Sequence, residues 1–251
     1  DPVRSTRMDD WHKKAGAKFE HVGQWMRAWY YPKPGESMEQ AVNREVRAAR
    51  ETAGLLDAST LGKIDVRGPD AAEFLDRIYT NKFSNLGIGR CRYGLMLKED
   101  GMVMDDGVTT RLADDHFHMT TTTGGAARVL DWLEEFSQTE WPELQVWFTS
   151  VTEQWAVATL SGPAAKDILT AAGVDIDLSD DAFSFMSMKE GHISGLPARI
   201  FRISFTGELS YEINVPARYG AALWTALMKA GAPHGITPYG TEAMHLLRAE
   251  K

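Results

Sequence analysis

The stretch KIDVRGPDAAEFLDRIYTN, residues 63–81, contains the signals of a strand, a turn and a helix in immediate succession. Alternating apolar residues predict a strand over residues 63–67, and Gly68-Pro69 predicts a turn that opens a helix near Asp70. Apolar residues then recur at helical spacing. The side chains predicted to face inward from this helix are Phe74, Leu75 and Ile78.

The same order returns in WAVATLSGPAAKDILTAAG, residues 155–173, where Gly162-Pro163 takes the place of the first Gly-Pro turn. Each turn follows an apolar strand and precedes a helix that begins with small residues. The two copies lie too far apart for a solenoid array, so they indicate internal pseudo-symmetry. We expect two interlocked subdomains, of about residues 1–150 and 151–251.

The remaining segments mix helices and strands without strict alternation, which favours the α+β class. Ser37 and Gln40 form a capping-box pattern that predicts a helix from about Met38 to Ala53, with Gly54 as its stop. Asp-Gly and Thr-Gly turns predict two β-hairpins. These hairpins are centred on residues 99–101 and 206–208, and further helices are predicted around residues 129–136 and 221–228.

Composition excludes several classes of protein. The chain has 251 residues, a net charge of -8 and scattered basic residues, which argues against nucleic acid as a partner. It contains no apolar run long enough to span a membrane and no signal peptide, and its single cysteine, Cys91, excludes an internal disulfide. We therefore expect a cytoplasmic protein. The absence of an initiator methionine and a helix that runs to Lys251 predict a fragment of a larger chain.

Common sequence signatures of nucleotide, zinc-protease and hydrolase sites are missing. The nearest approach to a metal-ligand pair is His116 and His118, which share one face of a strand. We interpret this pair as structural and expect no metal site.

Asp105 and Asp106 lie inside an apolar strand, in the segment MVMDDGVTT. Adjacent strand residues point to opposite faces, so at least one carboxylate should point towards protein, where it needs a partner. One aspartate could bond backbone amides in a bulge near Gly107. Alternatively, a carboxylate held at this point could stabilise a cationic amine or iminium.

Glu212 occupies the polar face of a predicted strand in the segment FTGELSYEINVP, residues 205–216. A solvated strand face is the simpler interpretation of that position. The functional alternative is a carboxylate that accepts hydrogen bonds from a planar ligand with adjacent N–H donors. Tyr93 and Tyr211 are candidate aromatic walls for such a ligand, although each is also a candidate core residue.

Five segments together resemble the tetrahydrofolate-binding region of the α subunits of heterotetrameric sarcosine oxidases. That region is similar to the glycine-cleavage T-protein, an aminomethyltransferase, and to the carboxyl-terminal half of dimethylglycine dehydrogenase. The resemblance covers essentially the whole chain. The segments are DASTLGKIDVRGPDAAEFLDRIYTN, GRCRYGLMLKEDGMVMDDGVTTRL, MTTTTGGAARVLDWLEEF, FRISFTGELSYEINVP and ITPYGTEAMHLLRAEK.

The resemblance implies a fold of interlocked α+β domains around a central folate channel, normally completed by a carboxyl-terminal β-barrel that this sequence lacks. It implies tetrahydrofolate as the cofactor, with flavin and NAD bound only by other parts of the complex. It also implies that the β, γ and δ subunits are partners. The family reaction oxidises sarcosine and transfers its one-carbon unit to tetrahydrofolate.

The resemblance also assigns roles to individual residues. Asp105 matches the catalytic carboxylate near the folate nitrogens, and Glu212 matches the glutamate that binds the pterin ring. Tyr93 and Leu61 match residues that line the channel, and Leu61 stands where the T-protein usually has methionine. Arg248, in the last segment, matches a further folate-associated residue.

The last segment departs from the T-protein pattern, because Met244 replaces an arginine that is associated there with folate, whereas Arg248 and Glu250 are retained. This difference favours the sarcosine oxidase branch. Two other functions stay open on the sequence. One is a dimethylglycine dehydrogenase or another folate-dependent demethylase, and the other is a non-catalytic module that docks subunits.

Overall fold

The computed structural model describes residues 3–251 and contains seven α-helices and thirteen strands in that range. The helices are α1 (Asp9–Lys14), α2 (Met38–Glu51), α3 (Ala71–Ile78), α4 (Ala126–Thr139), α5 (Ala165–Ala171), α6 (Gly220–Gly231) and α7 (Thr241–Ala249). The strands are β1 (Lys18–Val22), β2 (Trp25–Tyr30), β3 (Gly54–Asp57), β4 (Gly62–Arg67), β5 (Cys91–Leu97), β6 (Val103–Ala113), β7 (His116–Thr121), β8 (Trp147–Ser150), β9 (Trp155–Ser161), β10 (Ser187–Ile193), β11 (Leu196–Arg202), β12 (Ser210–Pro216) and β13 (Thr237–Pro238).

The chain divides into two compact units that interleave along the sequence. The first unit contains residues 3–60, 154–185 and 189–251, and the second contains residues 61–153 and 186–188. The boundary near residue 153 lies close to the one expected near residue 150. The first 60 residues, however, group with the carboxyl-terminal part of the chain, because β3 pairs with β9 in one sheet.

The first unit is built on a six-stranded sheet with the order β10-β11-β12-β9-β3-β13. The pairs of β12 with β9 and of β9 with β3 are antiparallel, whereas β13 runs parallel to β3. Apolar residues from one face of these strands form a core with α5 and α6, which includes Leu160, Ile213 and Trp224. Leu56 contributes to a smaller apolar cluster that also contains Tyr239 of the segment between β13 and α7.

The second unit is built on a five-stranded antiparallel sheet with the order β5-β6-β7-β4-β8. Its core packs α3 and α4 against strand residues such as Ile64 and Phe117. The three residues of α3 that were predicted to face inward, Phe74, Leu75 and Ile78, are all buried. The long strand β6 runs through this sheet and carries Asp105.

The two Gly-Pro turns adopt nearly the same backbone geometry, with φ of 132° at Gly68 and 127° at Gly162. Residues other than glycine rarely adopt this backbone conformation, and a side chain at either position would also lack space. A Cβ on Gly68 would overlap the carbonyl oxygen of Gln145, and one on Gly162 would approach the carbonyl oxygens of Ala49 and Thr52. The predicted repeat of strand, turn and helix is therefore present, as β4–α3 in the second unit and β9–α5 in the first.

Most local predictions agree with the structure, but two helices end earlier than predicted, since α7 stops at Ala249 and α2 at Glu51. Ser37 and Gln40 form the expected capping box at the start of α2. The helix ends at Glu51 with Thr52 as C-cap, and Gly54 is the first residue of β3 rather than a helix stop. The predicted hairpins are formed by β5 with β6 and by β11 with β12.

Within residues 3–251, none of the helices has both the length and the apolar character that crossing a lipid bilayer requires.

Candidate functional site

The predicted site residues fall into two groups, one in each unit. Asp105, Tyr93 and Leu61 belong to the second unit. Glu212, Tyr211 and Arg248 belong to the first. The two groups are described separately below.

Asp105 is a buried carboxylate on β6, only 3% exposed. Its Oδ1 accepts hydrogen bonds from the backbone N–H of Asp106 at 2.8 Å and of Thr122 at 3.0 Å. Its Oδ2 accepts the hydroxyl of Thr122 at 2.9 Å. A carboxylate offers about four lone-pair sites, so these three bonds among the described residues leave one site on Oδ2 unused.

The loop between β7 and α4 shapes this environment. Thr122 follows β7, and its hydroxyl also accepts the N–H of Gly125 at 3.1 Å. Gly125 precedes α4 with an ordinary φ of -89°, so its backbone does not require glycine. A Cβ at this position would overlap Oδ2 of Asp105. Glycine is needed here because the carboxylate occupies the space of a side chain.

Asp106 points away from Asp105, as strand alternation predicts, and is half-buried. Its Oδ2 accepts the phenol of Tyr93 at 3.0 Å, while the Tyr93 side chain is 48% exposed. Tyr79 is buried, and burial raises the pKa of its hydroxyl, an effect to which the charges of Asp105 and Asp106 add. The predicted bulge near Gly107 is not where the β5–β6 register shifts, which is between Met96 and Leu97.

Leu61 stands at the start of the second unit and is half-buried. Its carbonyl oxygen accepts a hydrogen bond from Nζ of Lys63 at 2.8 Å. Lys63 itself is almost fully buried. The ammonium group therefore fixes the backbone of Leu61.

Glu212 is half-buried in the middle of β12. Its register neighbours are Thr159 on β9 and Phe201 on β11, and both are buried. Directly opposite residues of an antiparallel pair share one face of the sheet. Burial raises the pKa of Tyr239, and the charge of Glu212 contributes to this increase. The polar face of β12 is thus largely enclosed rather than a solvated strand face.

The two remaining predicted residues lie elsewhere in the first unit. Tyr211 is 1% exposed, and its ring packs in the core beside Phe183 with 5.9 Å between ring centroids. It points to the opposite face of β12 from Glu212, so its assignment as an aromatic wall beside Glu212 is corrected. Arg248 lies exposed near the end of α7, with its guanidinium 5.9 Å from the ring of Phe205.

The chain matches a known protein family over almost its whole length. Residues 8–251 match the family described as GCVT N-terminal domain. The chain belongs to this family.

Curated relatives of this GCVT domain include two kinds of protein. The sarcosine oxidase subunit alpha of Corynebacterium sp. (strain U-96) is 58% identical over 252 residues, which cover 100% of this chain and 26% of the relative. The aminomethyltransferase of Symbiobacterium thermophilum is 32% identical over 250 residues, which cover 99% of this chain and 64% of the relative. The chain thus spans about a quarter of the length of the first relative.

A solved structure shows the same fold. The glycine cleavage system aminomethyltransferase T from Bartonella henselae superposes with a TM-score of 0.83 and 29% sequence identity. The similarity covers 99% of this chain and 62% of that one. These matches confirm the predicted aminomethyltransferase fold and the resemblance on which it was based.

Three residues that the sequence did not single out lie beside Asp105 and Glu212 of the GCVT domain. Thr122 and Gly125 surround Asp105, and Thr159 lies opposite Glu212. Thr122 belongs to a run of four threonines, which offered no reason to single out one member. The backbone of Gly125 has a conformation that any residue can adopt, so nothing in the sequence indicated that glycine is required there. Only the close approach of Asp105 in the structure shows why a side chain does not fit.

The histidine pair on β7 is tied to one carboxylate. Nε2 of His116 lies 3.0 Å from Oδ2 of Asp65, and Nδ1 of His118 lies 2.8 Å from Oδ1. Burial disfavours the ionised form of Asp65, but these two bonds outweigh it and hold the pKa of Asp65 below its usual value. This arrangement supports the structural interpretation of the pair.

A surface cavity of about 410 Å³ lies at one end of β9 and β12. It is lined by Gln154, Trp155, Pro216, Ala217 and Arg218. Within the described part of the chain, none of the predicted site residues lines it.

Proposed function

We propose that this chain binds a reduced folate and provides the one-carbon acceptor site of a sarcosine oxidase. The overall reaction would convert sarcosine, tetrahydrofolate and O2 to glycine, 5,10-methylenetetrahydrofolate and H2O2. Oxidation of the amine would take place at a flavin held outside this chain. The observation that carries the proposal is sequence identity over the whole chain to a sarcosine oxidase α subunit.

The surroundings of Glu212 fit the pterin end of such a ligand. A half-buried carboxylate accepts hydrogen bonds only, and its two oxygens match a planar ring that presents adjacent N–H donors. Phe201 adds a buried apolar neighbour on the same face. Glu212 would bind and orient the ring, and a neutral side chain of the same size would bind it less well.

The surroundings of Asp105 fit a carboxylate that acts on a developing cation. Two N–H donors and one hydroxyl hold it in a single orientation, so it needs no reorganisation when positive charge forms nearby. Asp105 would stabilise the iminium that carries the one-carbon unit and accept a proton at its free Oδ2 site. Bound tetrahydrofolate would supply the nitrogen atoms that receive the carbon.

The complete enzyme would include parts that this chain does not contain. The β, γ and δ subunits and the flavin-binding and NAD-binding regions would carry out amine oxidation. A cytoplasmic location, favoured by the single cysteine, is part of the same proposal.

Two measurements test the proposal. In isothermal titration with 5-formyltetrahydrofolate, Glu212→Gln should weaken binding at least about tenfold, since one charge-assisted hydrogen bond is lost. In the complete complex, Asp105→Asn should retain folate binding but slow the formation of 5,10-methylenetetrahydrofolate about 100-fold.

Three results would contradict it. No binding of the folate by the complete complex would exclude a folate site, and unchanged methylenetetrahydrofolate formation in Asp105→Asn would exclude the role of Asp105. Turnover of dimethylglycine in preference to sarcosine would place the chain in a different enzyme of the same fold.

A further inference from the structure

The sheet face that carries Glu212 contains a buried hydroxyl with no partner among the residues that the structure describes. Thr159 is 5% exposed, and its Oγ1 makes no hydrogen bond to any of residues 3–251. A buried hydroxyl that lacks a partner costs free energy, so native proteins rarely contain one without a reason. A ligand that binds beside it is one such reason.

Thr159 lies directly beside Glu212. The two residues are opposite each other in the antiparallel pair of β9 and β12, which places their Cβ atoms about 5 Å apart on one face of the sheet. The row of side chains continues on the neighbouring strands. Phe201 on β11 is opposite Glu212, and Leu56 on β3 is opposite Thr159. The row therefore has two polar groups at its centre and an apolar side chain at each end.

A second polar group on this face is also unsatisfied. Arg199 is opposite Asn214 in the β11–β12 pair, so it shares the face of Glu212. Its Nε donates to Glu190 at 3.0 Å and its guanidinium stacks over Trp155 at 4.6 Å, yet its buried Nη1 has no acceptor among the described residues. Two buried polar atoms on this face, Oγ1 of Thr159 and Nη1 of Arg199, therefore lack a hydrogen-bond partner among the described residues.

We propose that Thr159 is a second ligand-contacting residue, whose hydroxyl bonds the edge of the planar nitrogen heterocycle that Glu212 binds. A carboxylate can only accept, whereas a hydroxyl can donate as well. Together they match a lactam-like edge, in which N–H donors are next to a carbonyl acceptor. Glu212 takes the N–H donors and Thr159 donates to the carbonyl. The inference rests on the proposed folate site and adds the residue that would distinguish an oxo-substituted ring.

The test compares Thr159→Val with two matched variants. Valine keeps the shape of threonine but removes the hydroxyl, so binding of 5-formyltetrahydrofolate to the full protein should weaken about tenfold. The midpoint of thermal unfolding without ligand should stay the same or rise, since an unsatisfied group has been removed from the interior. Thr159→Ser, which keeps the hydroxyl, should bind as the wild type does.

Thr206→Val supplies the control. The hydroxyl of Thr206 is also buried without a partner among the described residues, but it lies in the segment between β11 and β12. Its removal should leave folate affinity unchanged. A gain in stability in both valine variants with a loss of affinity in only one would separate ligand contact from a general effect on folding.

The outcomes distinguish this inference from the proposed function. If the wild type binds and Glu212→Gln binds more weakly, but Thr159→Val binds normally, the role of Thr159 is overturned and the folate site stands. Equal loss of affinity in Thr159→Ser and Thr159→Val would also overturn it, because packing rather than the hydroxyl would be responsible. If the wild type does not bind the folate, both proposals fail.

Discussion

Thr122 bonds both oxygens of the Asp105 carboxylate, through its backbone N–H to Oδ1 and through its hydroxyl to Oδ2. The two residues are 17 positions apart in the sequence, on β6 and on the loop after β7. Thr122 therefore supplies two of the three hydrogen bonds that orient the carboxylate, and the N–H of Asp106 supplies the third. This relationship makes Thr122 a positioning residue for Asp105.

Thr122→Val should slow one-carbon transfer by the complete enzyme about tenfold, because Oδ2 loses its donor while the N–H bond to Oδ1 remains. Folate affinity should change by less than about twofold, since Asp105 is not assigned to ring binding. Methylenetetrahydrofolate formation and isothermal titration measure these two quantities. Thr122→Ser should restore the rate.

Thr139→Val is the matched control for this loss of a hydroxyl. The Thr139 hydroxyl donates to the carbonyl of Glu135 on the exposed side of α4, at 2.8 Å. Its removal should alter neither rate nor affinity. A normal rate in Thr122→Val would show that the two remaining N–H donors hold Asp105 in place without the hydroxyl.

Gly125→Ala should displace Asp105, because the new methyl group would occupy the position of Oδ2. The free energy of unfolding should fall by about 2 kcal/mol, as expected for overpacking in a buried site. Chemical denaturation measures this change. Gly87→Ala is the control in the same unit, since its Cβ would make only an ordinary contact of 3.4 Å with Arg90. Equal stability of the two variants would contradict the predicted overlap.

Asp57→Asn should lower the free energy of unfolding by about 3 kcal/mol, because it breaks a buried charge-assisted pair. Asp57 accepts from Nε2 of His12 at 3.0 Å and from the N–H of Ser59 at 3.0 Å. Lys13→Ala is the control on the same helix as His12. The Lys13 side chain, which pairs with Asp9, is 61% exposed, so its loss should lower the free energy of unfolding much less than Asp57→Asn does.

The same variant should alter the acid limb of the stability curve. Burial disfavours ionisation of Asp57, but its hydrogen bonds with His12, Ser59 and Thr6 outweigh this and lower its pKa. The unfolded chain then binds a proton at a higher pH, about 3.9, than the folded one. Stability from Asp57 is therefore present above that pH and is lost as the pH falls below it. Urea denaturation between pH 3 and 6 should show a smaller slope in Asp57→Asn.

Glu45 should make stability depend on pH in the opposite direction. Burial raises the pKa of Glu45 to about 7, although N–H donors from Gly240 and Tyr31 favour its ionised form. Between about pH 4.5 and 7 the folded state binds a proton that the unfolded state has lost, so stability decreases with rising pH by up to about 1.4 kcal/mol per pH unit. Above pH 7 this contribution is flat.

Urea denaturation of Glu45→Gln across pH 4.5 to 8 tests this effect. The unfolding free energy of the wild type minus that of Glu45→Gln should fall as the pH rises to 7. Glu39→Gln, an exposed substitution on the same helix, should keep the wild-type slope. A constant difference between wild type and Glu45→Gln at every pH would show that the pKa of Glu45 is not raised in the folded state.

Much of the local structure could be predicted because its causes lie within a few residues. The Gly-Pro turns, the capping box at Ser37 and the inward face of α3 follow from neighbouring side chains and from helical spacing. The same reasoning placed Asp105 and Asp106 on opposite sides of β6. It could not identify the partners of Asp105, because the donor Thr122 comes from the loop after β7, which is distant in the sequence.

The sequence by itself determined the fold class, the helix starts and turns, and the two carboxylates worth testing, since these depend on local periodicity and on specific motifs. Tertiary structure decided which residues surround those carboxylates. Pairing of β9 with β12 put the unsatisfied hydroxyl of Thr159 beside Glu212, and the same sheet buried Tyr211 on the opposite face. Contacts of this kind join residues distant in sequence, and they form only because burial of apolar surface brings the strands together.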